Sequence, residues 1–269
     1  MVKKTAFSRF QKIIRDYYKK NRRDLPWRNT KDPYHILVSE MMLQQTQVSR
    51  VLAKYQEFLS KFARLKDLAD ADFKDVLTVW KGLGYNRRAS YLHELSKKVI
   101  KEHKGRIPCD FEVLDTFPGI GMNTAGSILV FAFNMPTIFI ETNIRRVFIH
   151  FFFPKRTKIS DREIFPLIEK TLDKKHPKEW YFALMDYGAM LGKLSKNPNH
   201  KSRHYKKQSP FEGSNRELRG FIIKYLLSHP HTTEDLTEMI GREKNLIEKN
   251  LSGLLQEKLI QRNGKTYFI

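Results

Sequence analysis

Two carboxylic acids stand in sequence surroundings of opposite character. Glu40 lies between Ile36-Leu37-Val38 and Met41-Met42-Leu43. Apolar neighbours disfavour the ionised form of an acid, so its pKa should rise and it can hold a proton near neutrality. Such a group suits general acid catalysis. Glu141 follows Ile138-Phe139-Ile140 and precedes Asn143, Arg145 and Arg146, so it should stay ionised. An acid and a stabilising anion together suit cleavage through an oxocarbenium-like sugar. Either Glu, taken alone, also reads as a helix cap or an ion-pair partner.

Between the two acids runs Leu114-Asp115-Thr116-Phe117-Pro118-Gly119-Ile120-Gly121-Met122-Asn123-Thr124-Ala125-Gly126. An apolar helix end is followed by Gly-x-Gly and a new helix from about Asn123 to Phe133. Glycine lets backbone approach a ligand closely. The amides around Gly119, Gly121 and Thr124, at the turn and the new helix start, can then face a phosphate without a basic side chain. A plain tight turn is the alternative.

The charge supports a polyanionic partner. The 269 residues include 50 Lys or Arg and 29 Asp or Glu, a net +21. Nucleic acid is the partner such an excess favours; a merely basic surface is the other reading. Residues 212–269 carry nine basic and eight acidic residues, so nearly all the excess lies before them. Residues 191–209 hold six Lys or Arg, two His and no acid, with an Asn-Pro pair, and read as a loop suited to phosphate. The single Cys excludes a disulfide framework or a four-Cys metal site within the chain, and no metal is expected. No apolar run reaches membrane-span length, and the N-terminus lacks a signal-peptide core. These features predict an intracellular, reducing location, cytoplasmic or nucleoid, with no membrane partner.

The elements that must position these residues read as mainly α. Val48, Val51, Leu52, Tyr55, Phe58, Leu59 and Phe62 recur at helical spacing, as do Phe73, Val76, Leu77 and Trp80, and Tyr91, Leu92, Leu95, Val99 and Ile100. Ser160 to Glu163 has the pattern of a capping box. After residue 211 come a helix from Leu218 to Leu227, a short one capped by Thr232 or Thr233 and ending near Gly241, and a third from Glu243 to Glu257. A hairpin follows around Asn263-Gly264. Three helices and a hairpin form a winged-helix-like pattern. Its last helix has balanced charge, which suits packing or a partner as well as DNA. The expected domains are 1–190, a helical core; 191–211, a basic loop; and 212–269, a winged-helix-like domain.

LPWR, SEMMLQQTQV, WKGLGY, FPGIGMNTAGSIL, ETNIRRV and MDYGAM occur in an order and spacing that resemble the helix-hairpin-helix DNA glycosylase superfamily, in particular its A/G-specific adenine glycosylase (MutY) branch. The resemblance runs from Leu25 to about Ser214. It implies a helix-hairpin-helix glycosylase fold acting on double-stranded DNA with a mismatch or oxidised base, as a monomer. Glu40 matches the catalytic Glu, which protonates adenine at N7 and helps activate water. Glu141 matches the catalytic Asp, one methylene longer. Gln44 and Gln45 match residues that enter the duplex near the opposing base. Arg28 in LPWR, Tyr85, Asn86 and Asn123 join them as base- or lesion-recognition positions.

Three departures shape the expectation. Asn86 replaces the second Tyr of the family's Gly-Leu-Gly-Tyr-Tyr, which wedges into the base stack. Asn123 stands where bifunctional relatives carry a Schiff-base Lys, so hydrolysis by water without strand cleavage is implied. The four iron–sulfur ligand positions fall on Gly192, Asn199, Ser202 and Gln208, so the cluster should be absent, with hydrogen bonds ordering the loop. Lys201, Arg203, Lys206 and Lys207 remain there to meet phosphates. The implied activity is removal of adenine opposite 8-oxoguanine or guanine. A G/T or G/U mismatch glycosylase and a non-catalytic DNA-binding protein are the alternatives.

Overall fold

The computed structural model describes residues 2–194, 196–208 and 210–269. In chain order the helices are α1 (Val2–Asn21), α2 (Pro33–Leu43), α3 (Val48–Lys61), α4 (Leu65–Ala69), α5 (Phe73–Trp80), α6 (Arg87–His103) and α7 (Phe111–Asp115). They continue with α8 (Met122–Phe133), α9 (Thr142–Phe152), α10 (Asp161–Thr171), α11 (Pro177–Leu191), α12 (Asn215–Ser228), α13 (Thr233–Ile240) and α14 (Lys244–Gln256). The strands are β1 (His231–Thr232), β2 (Gln261–Asn263) and β3 (Thr266–Phe268). The fold is mainly α, with a few short strands near the C-terminus. No helix among the described residues is long and apolar enough to cross a membrane.

The chain forms two compact units. The first comprises residues 1–36, 109–116 and 120–207; the second comprises 37–108, 117–119 and 208–269. The division differs from the cuts at 190 and 211 drawn from composition. Residues 1–190 are shared between the units, and residues 212–269 belong with residues 37–108.

In the first unit α9 packs along α11, and α1 along α11. Ile144, Val147 and Phe148 are spaced three and four residues apart on α9 and are buried, as an amphipathic helix requires. Phe10 of α1 meets the rings of Phe148, Phe151, Phe152 and Trp180 at centroid distances of 5.4, 5.0, 5.1 and 5.9 Å. Such aromatic pairs contribute about 0.5–1.5 kcal/mol each beyond their buried area. Ser160 and Glu163 form the capping box that starts α10. The helices α7 and α8 pack together across the Pro-Gly-Ile-Gly turn.

In the second unit α3 turns Val51, Tyr55 and Phe58 inward, and Phe58 meets Phe62 and Trp80 at 5.0 and 6.0 Å. Asp72 caps α5 by accepting the Lys74 amide. The C-terminal region has its own core of Leu218, Ile222, Leu226, Leu236, Ile247, Leu251, Leu254 and Tyr267. Its sheet has the order β1-β3-β2, antiparallel, with Tyr267 paired to both His231 and Arg262. Phe73 of α5 packs against this core, and Arg87 of α6 binds Glu257 at 2.5 Å. These contacts join the tail to residues 37–108.

Candidate active site and DNA-binding elements

Glu40 rides on α2, a helix that is apolar nearly all round: Leu37, Val38, Met41 and Met42 are all fully buried. The Glu40 side chain itself is half-buried and has a partner. Four residues on, Gln44 leaves the helix, and its Nε2 donates to the Gly119 carbonyl oxygen at 3.0 Å. That bond ties the α2 end to the Pro-Gly-Ile-Gly turn. Gly119 has φ +75, and a Cβ there would lie 2.6 Å from Tyr91 Cδ2 and 2.9 Å from Met41 Cε. Both the backbone conformation and the space require glycine.

Two non-glycine residues of this region also hold left-handed backbone: Gln45 at φ 54 and Tyr85 at φ 49. Such strain persists only where surroundings impose it. Arg88 imposes it. Its buried guanidinium donates to the carbonyls of Met41, Met42 and Gln44 at 2.9, 2.7 and 2.6 Å, to Thr46 Oγ1 at 2.9 Å, and to the Leu83 and Gly84 carbonyls at 3.3 and 2.9 Å. One side chain thus fastens the 44–46 turn to the 83–85 turn. Burial pulls its pKa down to about 10, still charged at neutrality. The Tyr85 hydroxyl accepts from Gln208 Nε2 at 2.6 Å and from Arg216 Nη1 at 3.4 Å. Asn86 is half-buried at the start of α6 and makes no cap hydrogen bond.

The first unit holds Glu141. It is the N-cap of α9: Oε1 accepts the amides of Asn143 and Ile144 at 2.9 and 3.2 Å, and Oε2 accepts Asn143 Nδ2 at 3.3 Å. The longer side chain still reaches the cap donors that a shorter acid satisfies more commonly. Burial nonetheless pushes its carboxyl above the ordinary value, against the amides, the Asn143 carboxamide and the Arg146 charge. This differs from the ionised carboxylate expected from the neighbouring charges, because local sequence does not register the loss of solvent around the group. Asn123 is exposed at the start of α8, and its Oδ1 accepts the Ile140 amide at 3.0 Å, one residue before Glu141. Gly121 and Met122 are exposed, with Gly121 as the extended N-cap of α8, while Thr124 is half-buried.

Arg28 is a correction. It is buried, and its two terminal nitrogens grip Asp186 at 2.8 and 2.7 Å. Arg23 joins the same carboxylate. Burial raises the Asp186 carboxyl, but the two arginines outweigh it and hold it below the usual range. The guanidinium is engaged inside the first unit and is not presented for base recognition.

The cluster-ligand positions that the resemblance implies are Gly192, Asn199, Ser202 and Gln208, none of which offers a thiolate. A Cβ on Gly192 would lie 2.5 Å from Arg146 Nη1 and 2.7 Å from its Cζ, so an arginine fills the space where a ligand side chain would project. Arg146 donates to Asn197 Oδ1, Asn143 Oδ1 and the Gly188 carbonyl at 2.9, 2.8 and 2.6 Å. Asn199 and Ser202 are buried, and Gln208 belongs to the second unit. These residues do not fit an iron–sulfur cluster. Hydrogen bonds tie part of the loop after α11 to the segment before α10: Ile159 and Ser202 form a bridge, with Ile159 N donating to Lys201 O at 3.0 Å and Arg203 N to Ile159 O at 2.9 Å. Lys201 Nζ turns back to the Pro154 carbonyl at 2.6 Å, whereas Arg203, Lys206 and Lys207 are exposed. Ser195 and Ser209 of this loop lie outside the described residues. No group of three metal-binding side chains occurs among the described residues.

Sequence analysis did not single out Arg88, and it gave neither the Arg146 contacts nor the Asp186 pairing. Arg88 did leave a signal: it occupies an apolar-stripe position of α6, in phase with Leu92, Leu95 and Val99.

The chain is 35% identical over 193 residues to the adenine DNA glycosylase of Buchnera aphidicola subsp. Baizongia pistaciae, covering 70% of this chain and 54% of that protein. It is 42% identical over 132 residues to the adenine DNA glycosylase of Mycobacterium tuberculosis, covering 49% of this chain and 43% of the relative. The chain thus spans about half the length of the curated relatives it matches. Among solved structures, a thermostable thymine-DNA glycosylase superposes with a TM-score of 0.65 at 25% identity, covering 74% of this chain and 93% of that one. An endonuclease III in a non-covalent DNA complex, 19% identical, shares the fold with a TM-score of 0.60, over 71% and 89% of the two chains. Residues 38–174, just over half the chain, match the HhH-GPD family, and the chain therefore belongs to the HhH-GPD superfamily of base excision DNA repair proteins.

Proposed function

We propose that this chain is a monofunctional DNA N-glycosylase that removes adenine mispaired with 8-oxoguanine or guanine. What supports the reading is that the sequence keeps a carboxyl group at both positions the resemblance implies, Glu40 and Glu141, with Glu141 oriented by the α9 amides, and that it has Asn123 at the position the resemblance gives to an amine nucleophile. Glu40 donates a proton to the extruded adenine, which weakens the bond from its N9 to the sugar C1′. The bond electrons leave with the base, and C1′ becomes cationic. Ionised Glu141 stabilises that cation electrostatically. Water adds to C1′, its proton returns to Glu40, and an abasic site remains. Asn123 offers no amine for a Schiff base, so the strand stays intact until alkali or a lyase acts.

Adenine is favoured because the relatives named above, 35% and 42% identical, are adenine DNA glycosylases. The superposition with a thymine-DNA glycosylase supports a second reading, excision of thymine or uracil opposite guanine. The protein is read as a monomer without an iron–sulfur cluster, working in a reducing intracellular compartment, and its C-terminal region as a winged-helix-like domain. The test is a panel of duplexes carrying A, T or U opposite G or 8-oxoguanine, with alkali added to reveal abasic sites. Adenine release without spontaneous nicking is the expected result. Release of T or U alone transfers the assignment to the second reading, and efficient borohydride trapping of a protein–DNA adduct contradicts the monofunctional chemistry.

A further inference from the structure

The second unit encloses a cavity of about 610 Å³, within the roughly 300–1,000 Å³ range of ligand sites. One wall is built from the turn at Gln44–Gln47 and the segment around Tyr85; the other is α12 of the tail. Seven Arg or Lys side chains line it against a single acid, Glu257. Glu257 is the partner of Arg87 and Arg219. The surplus is strongly positive.

On α12, Arg216, Gly220 and Lys224 are four residues apart and share one face, and all three line the cavity. Gly220 is the informative one. Glycine inside a helix is destabilising relative to alanine. Yet a Cβ built at Gly220 meets nothing within 4 Å, so packing does not demand glycine there. What Gly220 provides is an open floor between two cations. A phosphodiester segment approaches a helix closely where side chains are short and cations flank it. Across the cavity, the carboxamides of Gln44, Gln45 and Asn86 carry donors and acceptors suited to base edges. Glu40 precedes Gln44 by one turn of α2, so a strand delivering a base to Glu40 brings neighbouring nucleotides to this wall.

We infer that this cavity binds one nucleotide of the substrate DNA, its phosphate held over Gly220 between Arg216 and Lys224, so that the tail engages DNA through α12. Winged-helix proteins that read the major groove use their last helix. Here the charges of that helix, α14, are nearly balanced, and Lys244 pairs with Glu234 at 2.6 Å. The inference rests on the glycosylase reading above, and its test separates the two.

The test uses the full chain as Gly220→Ala, Gly220→Leu and Lys224→Ala. Affinity for a duplex carrying a non-hydrolysable adenosine analogue is titrated at several salt concentrations, alongside thermal melting and single-turnover excision at saturating enzyme. Both Gly220 variants should melt at or above wild type, because each gains helix propensity. Gly220→Leu should bind at least about tenfold more weakly, by occluding the phosphate position. Lys224→Ala should flatten the log K against log salt slope by about one, the change for one lost phosphate contact. Excision of bound substrate should stay within about threefold. Unchanged affinity in a well-folded Gly220→Leu, or an unchanged slope in Lys224→Ala, overturns the inference. Should Gly220→Leu melt below wild type, the Lys224→Ala slope decides alone. If the variants show these binding effects while the wild type excises no base, the glycosylase reading is overturned and the cavity stays assigned.

Discussion

Glu141 shows how one side chain serves two demands. As N-cap it fixes its own carboxyl group through the Asn143 and Ile144 amides, so the group is held in one orientation by the fold itself. Burial raises its pKa above the ordinary value. The folded state therefore favours the protonated form. The stability Glu141 contributes is present below the ordinary carboxyl pKa and is lost as pH rises through the raised one. Where the group is ionised, it is so at the expense of stability. Glu141→Gln should thus be as stable as wild type or more so at pH 7.5, while single-turnover excision falls about 10²–10³-fold, as for loss of one preorganised electrostatic group. Glu141→Asp should retain substantial activity. The acid limb of the wild-type pH–rate profile should have its midpoint above 4.5. A Gln variant with near-wild-type excision rules out the electrostatic role.

At the scale of elements, the turn between α7 and α8 depends on one glycine and one bond. Gly119→Ala must place a methyl 2.6 Å from Tyr91 and adopt φ +75, so it should cost about 2 kcal/mol or more in unfolding free energy. It should also disturb the Gln44 bond to the Gly119 carbonyl and weaken DNA binding. Denaturant unfolding and a binding titration check both; an unchanged midpoint contradicts the account of the turn. Local elements like this one were legible. Periodicity marked α3, α5, α6 and α14, Ser160 and Glu163 marked the start of α10, and Asn263-Gly264 marked the hairpin. The two-residue β1 was not legible, because His231-Thr232 is too short to alternate. Nor was the engagement of Arg28, since Asp186 lies 158 positions away and nothing local couples them. The division into units was hidden for the same reason. It interleaves residues 37–108, 117–119 and 208–269 through contacts that composition does not record.

For the whole molecule, a net charge of +21 predicts DNA binding that weakens steeply with salt. Arg203, Lys206 and Lys207 are exposed, and Lys201 is half-buried against Pro154. Replacing all four by Ala should lower affinity for every duplex alike and flatten the salt slope by about three units, with Lys201 adding little. An unchanged slope identifies the loop as a connector only. The claim on which the rest depends is that Glu40 delivers the proton that releases the base. Its most direct measurement is single-turnover excision of adenine opposite 8-oxoguanine by Glu40→Gln, set beside its affinity for the same duplex. Gln keeps the shape and cannot protonate the leaving base. Excision should fall by at least about 10²–10⁴-fold while affinity stays within a few-fold of wild type. Excision within about tenfold of wild type contradicts the assignment of Glu40 as the acid and, with it, the account of this site.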